Sequence, residues 1–335
     1  MFADFPLALS YDDVLLVPQY SQIKSRSEVD LSTNLSPRLK IKLPILSANM
    51  NHVTNVKMAI ALARLGGLGI IPRFNTANEE ADLVSLVKKE NLLVGAAIGC
   101  KEDYLERAQA LVKAGVDALV LDVAHGHMQT VLDTLTNLRK TFPEVTIIAG
   151  NVATYEASCD LFKLGTDCVK VGIGPGSICT TRIMTGSGVP QITAILEAAR
   201  AAKEHNKTII ADGGIKNSGD IVKSLAAGAH SVMLGNLIAS SDEAPGEIVV
   251  VNNKTYKKYN GSTTLKENHV EGVAGLVPSR GPLSQIIQEL VEGIKSGLSY
   301  SGAKNILELQ DKAKFIRISS QGLRESNAHD VVITN

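Results

Sequence analysis

The chain has little cysteine, no excess of either charge and no long apolar run, and each shortage removes a class of protein. Four cysteines (Cys100, Cys159, Cys168 and Cys179) are scattered over 335 residues without a CxxC pair, which is not a disulfide framework. Reduced thiols in a cytoplasmic protein are the expectation. Lysine plus arginine equals aspartate plus glutamate, 34 each, so no net field recruits nucleic acid or an anionic membrane. Any phosphate must be bound by local groups. No segment reaches about 18 uninterrupted apolar residues, so no membrane span is expected. The start, MFADFPLALSYDDVLLVP, lacks the basic region and continuous apolar stretch of a signal peptide.

What is there is a rhythm. Eight short apolar runs recur from residue 43: LPILSA (43–48), GLGII (67–71), LLVGAAI (92–98), ALVLDV (118–123), VTIIAGN (145–151), CVKVGIG (168–174), TIIADGG (208–214) and SVMLGN (231–236). Each has the length of a strand buried on both faces. Amphipathic helical patterns such as EDYLERAQALVKAG and GDIVKSLAAGA lie between them. The phrases KAGVDALVL, KLGTDCVKV and AAGAHSVML share one order of helix end, Gly, polar residue, strand, which marks a repeated unit. Eight such units close naturally into a single-domain (β/α)8 barrel, with a doubly wound open sheet as the alternative.

Residues 1–42 form a lead-in to the barrel. Residues 237–281 form an excursion after the eighth strand, with a hairpin in EIVVVNNKTYKKY turning at Asn252-Asn253. KKYNGSTT reads as a turn by composition. A helix at about 283–298 resumes the barrel, and AKFIRIS reads as a late strand.

In a barrel, binding groups belong just after the strands. There the sequence sets Asn49-Met50, Arg73, Asp122, Asn151, the Gly174–Thr181 loop, Asp212-Gly213-Gly214 and Gly235-Asn236. The loop KVGIGPGSICTTR (170–182) is the most suggestive. Its glycines free the backbone to aim polar groups at a ligand, Ser177 offers a hydroxyl to a phosphate, and Cys179 is a nucleophile or a small packing residue. The ADGGI loop offers a carboxylate for a ribose diol and amides for a phosphate, or else a tight turn with an N-cap. Asp122, His125 and His127 are a weak metal signal and a better polar rim for a cofactor ring. Cys100, Cys159 and Cys168 read as packing residues.

GIGPGSICTTR, ADGGI, AGNVAT, YDDVLLVP, SRSEVD and SGLSYSGAKN together resemble the IMP dehydrogenase/GMP reductase family, from about Tyr11 to the C-terminus. The resemblance implies a (β/α)8 barrel assembled as a homotetramer, a purine nucleotide substrate and a nicotinamide cofactor. It makes Cys179 the nucleophile that attacks C2 of the purine. Ser177, Gly214, Gly235 and Tyr259 would contact the phosphate and Asp212 the ribose, with Met50, Asn236, Gly261 and Ser262 completing the substrate site. Asp122 and Arg73 would lie beside the cofactor. Backbone carbonyls of Gly172, Gly174 and Cys179 resemble the family's monovalent-cation site, for potassium.

Two activities share that scaffold. Dehydrogenases hydrolyse a covalent intermediate with an Arg-Tyr pair on a flap, and most insert a regulatory pair of repeats after the second strand. Here about twenty residues separate strands two and three, and NGSTTLKENHV, between Tyr259 and Glu271, holds no Arg and no Tyr. Reductases instead expel ammonia with a threonine and a flap glutamate, which Thr181 and Glu271 match. GMP reductase with NADPH is therefore the leading expectation, IMP dehydrogenase with NAD the alternative, and a non-catalytic nucleotide-binding relative the third. Departures from the family pattern are MNHV at 50–53, Pro72-Arg73 after strand two, and a dehydrogenase-like tail, GLRESNAHDV.

Overall fold

The computed structural model describes residues 5–261 and 272–326. All eight expected strands form: β1 (Ile45–Ser47), β2 (Leu68–Ile71), β3 (Val94–Ile98), β4 (Ala118–Asp122), β5 (Thr146–Val152), β6 (Cys168–Val171), β7 (Thr208–Asp212) and β8 (Ser231–Leu234). They pair in parallel, each with the next, and β8 closes on β1 through Val232↔Ile45 and Leu234↔Ser47. A closed (β/α)8 barrel results, and the open sheet is excluded. Every residue of β3, β6 and β8 is buried, which explains why these strands read as continuous apolar runs rather than alternating ones.

The repeated Gly junction has a geometric cause. Gly115, Gly165 and Gly228 have φ of +87°, +93° and +109°, a region that side chains other than glycine resist. Each helix ends with two reverse hydrogen bonds, for example Gly115 N to Val112 O and Val116 N to Leu111 O, so the last carbonyls find donors. The polar residue that follows also has a task. Asp117 accepts from Val94 N at 2.8 Å, Asp167 from Ile147 N at 3.0 Å and His230 from Ile209 N at 3.3 Å. Each caps the start of the preceding strand, where the ladder leaves an amide unpaired.

The lead-in seals the N-terminal floor. A hairpin of Thr33–Ser36 and Leu39–Ile41 buries Leu35, Leu39 and Ile41. It is fixed by Ser36 Oγ to Thr146 Oγ1 at 2.7 Å and by Thr208 Oγ1 to Leu35 O at 2.7 Å. Val14–Leu16 pairs antiparallel with Phe315–Arg317, so the expected late strand is a clasp outside the barrel.

The excursion differs from expectation. The hairpin of Ile248–Val251 and Lys254–Asn260 turns at Asn252-Asn253, as the sequence implies, with φ of +49° and +59°. However, KKYN is strand rather than turn, and a third strand, Ala274–Pro278, pairs beside it. Composition misled because Lys257 is buried. Its ammonium donates to the carbonyls of Ser241, at 2.6 Å, and Ala244.

Candidate active site

The barrel brings the polar strand ends together at its C-terminal mouth. Asp122 ends β4, Asn151 lies near the end of β5 and Asp212 ends β7. Between them rises Lys170 of β6, only 2% exposed. Its ammonium lies 2.8 Å from Asp122 and 2.7 Å from Asp212, and it also meets the Asn151 amide oxygen. Asn151 Nδ2 donates to Asp212 at 2.9 Å and to Gly172 O at 2.8 Å, while Asn49 donates to Asp122 at 2.9 Å. Burial works against charge on Lys170, yet Asp122 and Asp212 outweigh it and raise its pKa. Burial likewise works against the Asp122 carboxylate, but Lys170, Asn49 and Arg73 hold its pKa below the usual value. The mouth therefore carries ionised groups in a fixed array.

Residues after β6 form the thiol loop. Cys179 is exposed, with Sγ 3.1 Å from Thr181 Oγ1. Arg182 holds the loop from beneath. Its Nε donates to Ile173 O at 3.2 Å and its Nη2 to Val189 O at 2.6 Å, which staples the loop's two ends. The arginine stem passes where side chains would otherwise stand: a Cβ at Gly174 or Gly188 would lie 2.5 or 2.6 Å from its Cγ. Above, the loop is stitched to the excursion. Gly272 N donates to Thr180 Oγ1 at 2.7 Å and Val273 N to Ile178 O at 3.1 Å. The residue following Glu271 is thereby anchored one residue from Cys179.

Beside the loop lies a cavity of about 380 Å³ whose lining includes Ser177, Gly214, Gly235, Asn236 and Tyr259, together with Ser10–Asp12 and Lys216. Tyr259 is 4% exposed and hydrogen-bonds Ser177, and burial pushes its hydroxyl up to about 12. A Cβ at Gly235 would lie 2.7 Å from that hydroxyl, so glycine is needed for the close approach. Gln191 ties the ends of β6 and β7 by donating to Val171 O at 2.9 Å and Asp212 O at 3.1 Å.

Five expected phosphate and substrate residues thus share one cavity: Ser177, Gly214, Gly235, Asn236 and Tyr259. Asp212 stands at its inner edge through Gly213, which is part of the lining. Met50 packs half-buried against the core, and Gly261 hydrogen-bonds Val273 O at 3.3 Å; neither lines the cavity. Glu271 and Ser262 lie outside the described residues. Arg73 stacks over Phe74, 5.2 Å from its ring centre, and its Nε is buried with no hydrogen-bond partner among the described residues. That orphaned donor, near ionised Asp122, fits an anionic cofactor group. Cys159 and Cys168 are buried and Cys100 is half-buried; burial pushes the Cys168 thiol up to about 12. His127 pairs with Asp160 at 3.1 Å, and no cluster of three or more His, Cys, Asp or Glu suited to a metal occurs among the described residues. No helix among them is long and apolar enough to cross a membrane.

Asn151 was expected at a strand end and stands there in the array, whereas two residues of the mouth escaped sequence reading: Lys170 and Arg182. For Lys170 the signal was present, as a lone charge inside the buried strand CVKV.

A closed (β/α)8 barrel with an exposed thiol loop and a polar cavity on its C-terminal face defines a barrel enzyme. The sequence matches the IMP dehydrogenase / GMP reductase domain over residues 8–329. It is 39% identical to inosine-5'-monophosphate dehydrogenase of Aquifex aeolicus, covering 97% of this chain and 96% of that one. It is 36% identical to the Bacillus subtilis enzyme of the same name, with 97% and 96% covered. The alignment to the Aquifex relative runs over 471 positions against a chain of 335 residues, so a stretch of that relative has no counterpart here. Among solved structures, GMP reductase from Trypanosoma brucei in complex with guanosine 5'-monophosphate superposes with a TM-score of 0.94 at 31% identity, covering 98% of this chain and 99% of that one. The chain belongs to the IMP dehydrogenase/GMP reductase family of oxidoreductases, which use a nicotinamide cofactor.

Proposed function

We propose that this protein is a GMP reductase, converting GMP to IMP and ammonia at the expense of NADPH. The observation that carries the reading is the segment between Gly261 and Gly272, which holds no arginine and no tyrosine. The water-activating pair that a dehydrogenase needs is missing from that place. Thr181 lies 3.1 Å from the Cys179 thiol, and Glu271 precedes a residue bonded to the thiol loop.

Ser177, Gly214, Gly235 and Tyr259 hold the phosphate, and Asp212 takes the ribose hydroxyls. With the nucleotide anchored at that end, its C2 stays in reach of the loop. The Cys179 thiolate adds to C2, and Thr181 with Glu271 passes a proton to the exocyclic amine, which leaves as ammonia. A thioimidate remains on Cys179. Asp122 and Arg73 would hold NADPH, which when bound would supply the hydride for C2. The C2–S bond then breaks, IMP departs and the thiolate is restored. Met50, Asn236, Gly261 and Ser262 complete the substrate site. Carbonyls of Gly172, Gly174 and Cys179 are the proposed ligands of a monovalent cation. A homotetramer is the assembly that goes with this reading.

The second reading, IMP dehydrogenase with NAD, is favoured by the names of the relatives at 36 to 39% identity. A paired assay decides. One cuvette holds GMP and NADPH, the other IMP, NAD and potassium. Loss of reduced cofactor with matching ammonia release is expected in the first. Formation of reduced cofactor in the second, with silence in the first, refutes the reductase reading, and silence in both points to a binding role.

A further inference from the structure

We propose that Lys170 is a positioning residue shared by the two halves of the site: a single buried ammonium that holds the cofactor-side carboxylate Asp122 and the ribose-side carboxylate Asp212 in one array. The inference rests on the functional reading above, which assigns those carboxylates to different ligands. Its basis is geometric. The ammonium lies 2.8 Å from Asp122 and 2.7 Å from Asp212, and Asn151 bridges the second contact by donating to Asp212 while accepting from Lys170. No other cation is within salt-bridge distance of either carboxylate among the described residues. Arg73 reaches Asp122 through space, and the Tyr11 and Tyr259 hydroxyls sense Asp212. Lys170 also grows from the middle of a strand, so its stem is fixed by the barrel wall. A group placed there cannot serve one ligand without affecting the other.

Removing the ammonium leaves two carboxylates facing each other in a largely buried space, which is costly. Their repulsion turns the geometry of each carboxylate into a function of the other. The two binding events, independent in their contacts, are thereby linked through one side chain.

The test measures equilibrium binding of GMP, IMP, NADPH and NAD singly, so no turnover occurs, to the full chain and to Lys170→Met, Lys170→Arg and Lys170→Met/Asp122→Asn. In Lys170→Met the Kd of nucleotide and of cofactor both rise by about tenfold. In Lys170→Arg, which keeps the charge but not the shape, both rise together by about two- to fivefold. The diagnostic result is a crossed one. Asp122→Asn added to Lys170→Met recovers nucleotide affinity at least about threefold, although Asp122 is assigned to the cofactor. A generic packing defect gives no such recovery. Constants that stay unchanged, or that move for one ligand alone in whichever variant folds, overturn the proposal. Absence of the crossed recovery overturns it as well. A wild-type chain that binds neither purine monophosphate refutes the functional reading, and the shared role with it. Intact wild-type binding without the linked losses refutes the shared role alone.

Discussion

Replacing Arg182 with methionine should disable the enzyme while leaving the barrel standing. The stem of the side chain is retained, so packing under Gly174 and Gly188 survives, and only the guanidinium is lost. Two hydrogen bonds go with it, to Ile173 O at 3.2 Å and Val189 O at 2.6 Å. A hydrogen bond from a charged donor contributes about 1.5–3 kcal/mol. Water can reach part of this site, so the lower value for each is the better guide, giving about 3 kcal/mol in total. That energy holds the two ends of the thiol loop together. At about 1.4 kcal/mol per factor of ten, its loss lowers the population of the correctly placed Cys179 about 100-fold. The expected result is a fall in kcat/KM of about 100-fold. Nucleotide Kd should change less than tenfold, and the thermal midpoint by no more than a few degrees, because the barrel strands are untouched. Steady-state kinetics, nucleotide titration and a melt on the same preparation suffice. Turnover within threefold of wild type would refute the staple. A collapse of the melt would show that Arg182 supports the whole fold instead.

Four further outcomes are expected. Cys179→Ala should abolish turnover and leave nucleotide binding within a few-fold; substantial residual turnover removes the covalent step. Glu271→Gln should slow ammonia release more than hydride transfer in single-turnover experiments, and equal slowing of both removes the relay. Gly235→Ala forces a methyl group to within 2.7 Å of the Tyr259 hydroxyl, so the nucleotide KM should rise about tenfold, and an unchanged KM would deny that Tyr259 borders the phosphate. His230 is the pH probe: burial pushes its pKa down to about 4 from 6.5. The folded protein thus binds fewer protons than the unfolded chain, so its contribution is complete above pH 6.5 and is lost as pH falls toward 4, by about 3 kcal/mol. His230→Gln should flatten that acid limb in urea denaturation, and superimposable limbs would show that the group is solvated.

The barrel was legible because its signals are local. A short apolar run, a Gly junction and a capping polar residue recur within about nine residues, and each element of the phrase has a bond in the structure that requires it. The cavity residues were legible through a long specific motif and its neighbours. What could not be read has partners distant in sequence. Lys170 looks like an isolated charge until β4 and β7 bring Asp122 and Asp212 to it. Arg182 reads as one basic residue after two threonines, and nothing nearby announces that its acceptors are Ile173 and Val189. Ala274–Pro278 alternates weakly, with a glycine and a proline in five residues, so its strand state comes from Lys254–Asn260 beside it. In the same way the polar KKYN segment becomes a strand because Lys257 finds carbonyl acceptors under the excursion.

The described residues on either side of positions 262–271 lie next to each other. Asn260 pairs with Ala274, Tyr259 with Gly275, and Gly261 N reaches Val273 O at 3.3 Å. A connection between two such close points can change in length without requiring its two ends to move. On the function proposed above, the chemistry assigned to that stretch of sequence is thus an exchangeable cassette between two fixed ends, Gly261 and Gly272. A designer has two defined ends at which to exchange that insert and ask which reaction the unchanged frame then supports.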